Sequence, residues 1–312
     1  MAFDVRTSRR VTLRDLQVLL AVAELGSMAK AASHLSITQP AVSQAIAGLE
    51  RAFGVRLIDR GPHGAVLTRY GEAIQRRGTE VFDMLQQGSR EIEFLSDGGK
   101  GDVWIGANEV LLGGFVPAVV QRLAEQHPNV AVHAQTVNSS DFDFEKLRER
   151  KLDLLLGRRT PRIDDDLDFE TLFEEGLSVV VGQNSQWARK RKVTLTELAD
   201  GPWIFSEPDN VVRSHLFKAF SGCGMDPPRV GVVSVSMHLR LALLATGNYI
   251  STIPNSFVGY GVDRWSLKVL PIDLGLKLPV GIFTLKNRTL SPVALNVVKN
   301  IRSIAKSMAK DW

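Results

Sequence analysis

The chain has 312 residues, of which 44% are hydrophobic and 23% are charged, a composition that indicates a soluble globular protein of two or three domains. The sequence contains no run of about 18 apolar residues and no apolar signal segment at its N-terminus, so neither a membrane span nor secretion is expected. Cys223 is the single cysteine, which excludes an internal disulfide framework and favours a cytoplasmic location.

The net charge of +4 is concentrated near the N-terminus. Residues 1–70 contain nine Arg or Lys residues and five Asp or Glu residues, which gives this segment alone a charge of +4. A basic segment favours a polyanionic partner, because bound phosphates release their counterions.

Two helices are predicted before residue 36. Thr12 and Asp15 form a capping box at the start of the first helix, which we predict over residues 12–25. Gly26 ends that helix, and Ser27 caps a second, short helix. The apolar side of this second helix consists of Met28, Ala31, Ala32 and Leu35.

A third helix is predicted from Thr38 to Phe53, with Thr38 as its N-cap and Pro40 in its first turn. Its apolar stripe consists of Val42, Ile46, Leu49 and Phe53. The opposite side carries Gln44, Ala47, Gly48 and Arg51, with Gln39 and Ser43 near the helix start. Two helices joined by a very short turn, the second with a polar outer face, are typical of a DNA-binding helix-turn-helix. An ordinary amphipathic helix with a solvated face is the alternative for this stretch alone.

Two short strands, Leu57–Arg60 and Ala65–Thr68, are predicted around a turn of Gly61, Pro62, His63 and Gly64, which together give a wing. Arg60 and His63 could reach phosphates, although a solvated turn residue is the favoured interpretation of His63.

The stretch SMAKAASHLSITQPAVSQAIAGLERAFGVRLIDR, followed by LTRYGEA, resembles the N-terminal winged helix-turn-helix of the LysR-type transcriptional regulators. The resemblance covers roughly Val11 to Ala73 without a gap, with Met28 and Ile58 where the family more often has Phe. It implies base or phosphate contacts from Ser27, Thr38, Gln39, Pro40, Ser43 and Gln44, and from Arg60 on the wing. Arg51 is added to this set from its position on the helical wheel alone.

A long helix is predicted from Tyr70 to Leu95. Its heptad positions are Ile74, Gly78, Val81, Leu85, Gly88, Ile92 and Leu95. The family resemblance implies that such a linker helix dimerises and that dimers associate into a homotetramer. Packing on the chain's own wing is the alternative for the same apolar positions.

The composition of residues 96–101, SDGGKG, predicts a hinge, after which apolar strands and helices alternate and predict an α/β fold. Strands are predicted at Val103–Gly106, Val130–Thr136, Leu152–Gly157, Ser178–Gly182, Trp203–Phe205, Val230–Val235, Tyr249–Pro254 and Val280–Leu285. Helices are predicted at Gly114–Gln126, Asn210–Cys223, Met237–Thr246 and Pro292–Lys310.

This order resembles the regulatory domain of the same family, which is similar to type 2 periplasmic binding proteins with two lobes around a cleft. The expected division is a DNA-binding domain at 1–69, a linker helix at 70–95, the hinge at 96–101 and a regulatory domain at 102–312. Within the last, lobe 1 is expected at about 102–173 and 272–312, and lobe 2 at about 174–271.

A ligand in such a cleft lies against strand ends and helix N-termini, where free N–H groups favour anions. The candidates by position are Asn108, Glu109, Asn138, Ser139, Phe205, Ser206, Glu207, Ser236, His238, Thr252 and Ile253. Each could instead be a helix cap, a turn or a strand-end core residue. Arg158 and Arg159 could select an organic acid, whereas Glu109 would repel one.

No catalytic constellation, metal-ligand spacing or Gly-rich phosphate loop is found in the sequence, so neither an enzyme nor a cofactor is expected. The expected partners are double-stranded promoter DNA, a small-molecule effector, further copies of the chain and RNA polymerase. A solute-binding module or an enzyme fused to a DNA-binding domain is the alternative function.

Overall fold

The chain folds into N-terminal helices with a two-stranded wing, followed by two mixed five-stranded sheets. This computed structural model describes residues 11–61, 64–96, 99–137, 144–206, 211–261 and 263–308. The described residues form two compact units, one ending at Ser89 and one starting at Arg90. Within the described ranges no single helix is long and apolar enough to cross a membrane, and only the bent pair formed by the first two helices reaches that length and apolarity together.

The helices are α1 Leu13–Leu25, α2 Met28–His34, α3 Gln39–Phe53, α4 Arg69–Ser96, α5 Glu109–Gly113, α6 Val116–Gln126, α7 Glu145–Arg148, α8 Val211–Gly222, α9 Met237–Ala245, α10 Asn255–Gly261 and α11 Pro292–Met308. The strands are β1 Ile58–Gly61, β2 Gly64–Leu67, β3 Gly101–Ala107, β4 Val130–Thr136, β5 Leu154–Arg158, β6 Leu167–Glu175, β7 Leu177–Gly182, β8 Trp203–Phe205, β9 Val230–Val233, β10 Ile250–Pro254, β11 Leu267–Asp273 and β12 Leu278–Leu285.

The first three helices begin and end where local sequence dictates. Thr12 and Asp15 form both bonds of the capping box, and Gly26 ends α1 with a left-handed φ of 62°. Ser27 and Thr38 cap α2 and α3 through their hydroxyl oxygens. The predicted apolar stripe of α3 is confirmed, because Val42, Ile46 and Leu49 are all fully buried in one core with α1 and α2.

The wing is attached to the end of α3 by Glu50. Its Oε1 accepts hydrogen bonds from the backbone N–H groups of Leu57 at 2.8 Å and Ile58 at 3.3 Å. β1 then pairs with β2 in an antiparallel register that places Arg60 opposite Ala65. The predicted wing strands are therefore confirmed with a shift of one residue, and Pro62 and His63 lie outside the described residues.

The apolar positions of α4 divide into two groups. Gly78 is buried, and a side chain there would lie against Leu20 of α1. Leu85, Ile92 and Leu95, further along, are 53%, 66% and 74% exposed. The first part of the heptad pattern therefore packs on the chain's own helices, and the second part has no cover within the described part of the chain.

The C-terminal unit contains two sheets, which we call lobe 1 and lobe 2 together with their helices. Lobe 1 has the strand order β4-β3-β5-β12-β6, and lobe 2 has the order β11-β7-β10-β8-β9. The chain passes from lobe 1 to lobe 2 after β6 and returns at β12, so the predicted two-lobed α/β class is confirmed.

All eight predicted strands and four predicted helices of this unit exist, with ends displaced by up to two residues where both ends are described; the predicted ends at Asn210 and Lys310 lie outside the described residues. β6, β11, α5, α7 and α10 were not predicted. β6 reads LDFETLFEE, in which four acidic residues weaken the strand pattern, and β11 contains Pro271. β6 is nevertheless stable as a strand because it pairs along its whole length with β12.

Candidate functional site

The first candidate site is the outer face of α3. Gln39, Pro40, Gln44 and Arg51 are exposed on the helix, opposite the buried stripe. Ser43 is half-buried, and its hydroxyl donates to the Sδ of Met28 at 3.6 Å. Gln44 and Arg51 thus lie on an accessible surface with two small residues between them, which allows close approach to another molecule.

The other predicted contact residues surround the start of this helix and the wing. Thr38 Oγ1 accepts from the N–H of Ala41 at 3.4 Å, and Ser27 Oγ accepts from the N–H of Lys30 at 3.4 Å. Both hydroxyls retain a hydrogen to donate to a phosphate. Arg60 is exposed on β1. Amide, guanidinium and hydroxyl groups can all bond base edges or phosphates, so this surface has the chemistry of a DNA-binding face.

The second candidate site is a cleft between lobe 1 and lobe 2, with an empty volume of about 750 Å³ that includes its open mouth. Its polar lining consists of Asn108, Glu109, Thr136, Arg158, Ser206, Arg240 and Thr252. Seven further lining residues are apolar. A cleft that combines apolar walls with a few converging polar groups is the usual form of a small-molecule site.

Four of the predicted effector-binding residues line this cleft, namely Asn108, Glu109, Ser206 and Thr252. Ser236 caps α9, and its neighbour His238 contacts Glu109. Phe205 and Ile253 are buried in the cores of lobe 2 and do not line the cleft, because their strand positions face inward. Asn138, Ser139 and Glu207 lie outside the described residues.

Glu109 connects the two lobes. Its Oε2 accepts from the backbone N–H of Met237 at 3.0 Å, and its Oε1 lies 2.9 Å from Nδ1 of His238. The N–H of Met237 is one of the groups left free at the start of α9, where the helix dipole favours negative charge. The carboxylate of Glu109 therefore occupies the helix N-terminus that an anionic ligand would otherwise reach.

Arg158 lines the cleft, but its charge is neutralised. Its Nε and Nη2 donate to Oε2 of Glu175 at 3.2 and 3.1 Å, and the hydroxyl of Ser256 donates to the other oxygen of the same carboxylate. Glu175 is only 2% exposed and ends β6, where the chain passes between the lobes. Arg159 is exposed. The sequence-based expectation that these two arginines select an acid therefore has no support from the geometry of Arg158.

Arg240 is the charged cleft residue that was not predicted from the sequence. It is 7% exposed, and its Nη1 and Nη2 donate to the carbonyl oxygens of Thr252 at 3.0 Å and Ser234 at 2.8 Å. Its Nε has no hydrogen-bond partner among the described residues. Burial lowers the pKa of Arg240 to about 10 against the opposing influence of Glu109, so the guanidinium stays charged at neutral pH. A single arginine in the apolar helix MHLRLALLA was the available signal.

Two family models match the chain. Residues 13–72 match the bacterial regulatory helix-turn-helix protein of the lysR family. Residues 96–305 match the LysR substrate binding domain. The first match contains α1 to α3 and the wing, and the second contains both lobes.

Curated proteins and solved structures agree with these matches. The HTH-type transcriptional regulator GbpR of Azospirillum brasilense is 29% identical over 297 residues, which cover 94% of this chain and 86% of that protein. The structure of a full-length OxyR variant from Pseudomonas aeruginosa aligns with a TM-score of 0.65 at 23% identity, covering 95% of this chain and 97% of that chain. Full-length CbnR complexed with its target DNA aligns with a TM-score of 0.61 at 20% identity, covering 94% of this chain and 100% of that chain. The two structures show that the fold is shared.

Proposed function

The chain belongs to the LysR family of DNA-binding transcriptional regulators, and from that premise we propose that it reads promoter DNA through α3 and the wing. The observation that carries this proposal is the exposed polar face of α3 above the fully buried Val42, Ile46 and Leu49. The contacts to bases come from Gln39, Ser43, Gln44 and Arg51. The contacts to phosphates come from Ser27, Thr38 and Arg60 and from the backbone of the helix start, and the ring of Pro40 packs against the sugar-phosphate backbone without a hydrogen bond.

The protein binds its promoter as a homo-oligomer. The exposed apolar side chains of α4, namely Met84, Leu85, Ile92 and Leu95, support this proposal, because a helix in water rarely exposes so many. Two copies of α3 in successive major grooves would read an interrupted palindrome, and two such dimers give the tetramer. We divide the chain into a DNA-binding domain at residues 1–69, a linker helix at 70–95, a hinge at 96–101 and a regulatory domain at 102–312.

The cleft between the lobes binds a small-molecule effector. Its size and its polar groups on both lobes support this role, because a ligand that contacts both lobes has different affinities for two lobe arrangements. The difference would change DNA bending and recruitment of RNA polymerase at the promoter. The relatives are named as transcriptional regulators, so the ligand acts by binding, without turnover.

The experiment that tests this function is an anisotropy titration of the full-length protein on fluorescent DNA from its own promoter and on a scrambled duplex. The proposal expects tighter binding to the promoter by about 10³-fold or more at physiological salt, with a steep loss of affinity as salt rises. Equal affinity for both duplexes would contradict it. Addition of an effector should then change the promoter affinity while affinity for the scrambled duplex stays the same.

A further inference from the structure

Arg240 is a buried cation to which no described carboxylate is paired. Its two terminal nitrogens donate to the backbone carbonyl oxygens of Thr252 and Ser234, which carry no formal charge. Its Nε is buried and without an acceptor in the described part of the chain. A buried charge and a buried unsatisfied donor are both unfavourable in the absence of a partner. The guanidinium therefore carries a charge that can attract an anion in the cleft it lines.

The other charged groups of the cleft already have partners. Arg158 is paired with Glu175 at 3.1 Å. Glu109 accepts from Met237 N–H and is 2.9 Å from His238. Of the three charged side chains that line the cleft, Arg240 alone has no charged or titratable side chain within hydrogen-bond or ion-pair distance among the described residues, although the charge of Glu109 acts on it from further away. An anion entering the cleft would thus meet one available cation.

We propose that the effector is a monocarboxylate with an apolar body, and that Arg240 binds its carboxylate. This inference rests on the proposed function of the cleft and specifies the ligand of that site. The carboxylate supplies the counter-charge of the guanidinium.

The apolar residues of the cleft lining determine which ligand groups, beyond the carboxylate, can bind there. Val110, Val137, Leu177, Val235 and Met237 offer apolar contact on both lobes. Burial of an apolar ligand group against them is favourable because it removes apolar surface from water. A sugar or another polyhydroxylated ligand would lose hydrogen bonds to water there without recovering them from these side chains.

The charge of the ligand follows from Glu109. Its carboxylate raises the electrostatic cost of a second negative charge in the cleft, and it also occupies the N-terminus of α9. One available guanidinium beside one fixed carboxylate favours a monoanion over a dicarboxylate or a phosphate monoester. We therefore expect dianions to bind more weakly than monocarboxylates of similar size.

The test uses full-length protein and matched pairs of probes, each pair a carboxylate and its isosteric amide. Suitable pairs are benzoate with benzamide, phenylacetate with phenylacetamide, and 3-methylbutanoate with its amide. Titration calorimetry and thermal unfolding are measured at pH 7.5. At least one acid should bind 10-fold or more tightly than its amide and raise Tm, by about 5–10 °C at a hundredfold excess over Kd. The dicarboxylates phthalate and succinate should bind more weakly than the monocarboxylate probes.

The variant Arg240→Met removes the charge and keeps the apolar length. It should weaken acid binding by roughly 30-fold or more and leave amide binding unchanged. Arg189→Met is the matched control, since Arg189 is exposed on lobe 2 and should not affect either probe. Arg240→Met also loses the hydrogen bonds to Ser234 and Thr252. If Arg240→Met fails to fold, Arg240→Lys, which keeps the charge, replaces it in the binding measurements. Arg240→Lys should retain the preference for the acid.

The outcomes separate the carboxylate assignment from the effector function of the cleft. Equal binding of acids and amides, or no binding of any acid, would overturn the carboxylate assignment. Binding of neutral probes that changes promoter affinity would overturn it too, while the effector function of the cleft would stand. An acid that binds through Arg240 and leaves promoter affinity unchanged would support the ligand class and contradict the regulatory role of the cleft.

Discussion

The carboxylate of Glu109 accepts a hydrogen bond from the backbone N–H of Met237 at 3.0 Å, which joins α5 of lobe 1 to the first turn of α9 in lobe 2. His238 holds the other oxygen of the same carboxylate at 2.9 Å. Because α9 also carries Arg240, this contact joins lobe 1 to the helix of the proposed ligand anchor. The two residues of this contact are 128 positions apart in the sequence.

Glu109→Ala should loosen this contact. The change removes the acceptor of Met237 N–H, at a cost of about 1.5–3 kcal/mol for a hydrogen bond to a charged group. The amide of Met237 should then exchange with deuterium faster than in the wild type. Glu125→Ala, at an exposed position of α6, is the control and should leave this amide unchanged. Unchanged exchange in Glu109→Ala would show that the contact does not hold α9.

Glu50→Ala should destabilise the N-terminal unit through the wing. The N–H groups of Leu57 and Ile58 lose their shared acceptor in a buried place, which costs about 1–3 kcal/mol. Urea unfolding followed by circular dichroism measures the loss. Glu24→Ala removes an exposed glutamate from α1 and should have little effect. Equal stability of the two variants would refute the role of Glu50.

Ion pairing of Asp166 with Arg148 should appear in the acid limb of the stability profile. Hydrogen bonding to the Arg148 guanidinium lowers the pKa of Asp166 below its ordinary value. A depressed folded-state pKa means that the contribution is fully present above the ordinary value of about 4 and is lost as pH falls through the lower folded value. Stability of Asp166→Asn should therefore fall less steeply with pH below 4 than that of the wild type. Asp168→Asn, at an exposed neighbour, should keep the wild-type slope.

Ile92→Glu should weaken self-association. Ile92 is 66% exposed on α4 and belongs to the apolar group that nothing in the described part of the chain covers. A charge placed in a helix–helix interface meets a desolvation cost, so the oligomer should dissociate at lower dilution. Sedimentation velocity over a concentration series measures this. Gln86→Glu adds the same charge at an exposed polar position of α4 and should behave as the wild type.

Local sequence was sufficient to predict the helix ends of the N-terminal unit. Caps at Thr12, Ser27 and Thr38 act on backbone groups three residues away, so their effects can be derived from neighbouring letters. Glu50 is different, because its partners Leu57 and Ile58 become visible only once the wing has folded back.

Long-range contacts limited the prediction of the cleft. β6 is a strand because of β12, more than a hundred residues later. Arg240 became a candidate only when its burial and its bonds to Ser234 and Thr252 were known. Phe205 lies at a strand end, where cleft residues are expected. Because side chains alternate along a strand, however, its ring points into the core of lobe 2. Sequence position alone does not distinguish these two sides of a strand.

The promoter preference of Gln44→Ala tests most directly whether α3 reads DNA. In anisotropy titrations on promoter and scrambled duplexes over a salt series, the variant should lose about 1–3 kcal/mol of preference for the promoter. Its affinity for the scrambled duplex and its salt slope should stay at the wild-type values, because Gln44 carries no charge. Gln86→Ala, an equally exposed glutamine on α4, should keep the full preference. Undiminished promoter preference in Gln44→Ala would contradict the assignment of α3 as the helix that reads DNA.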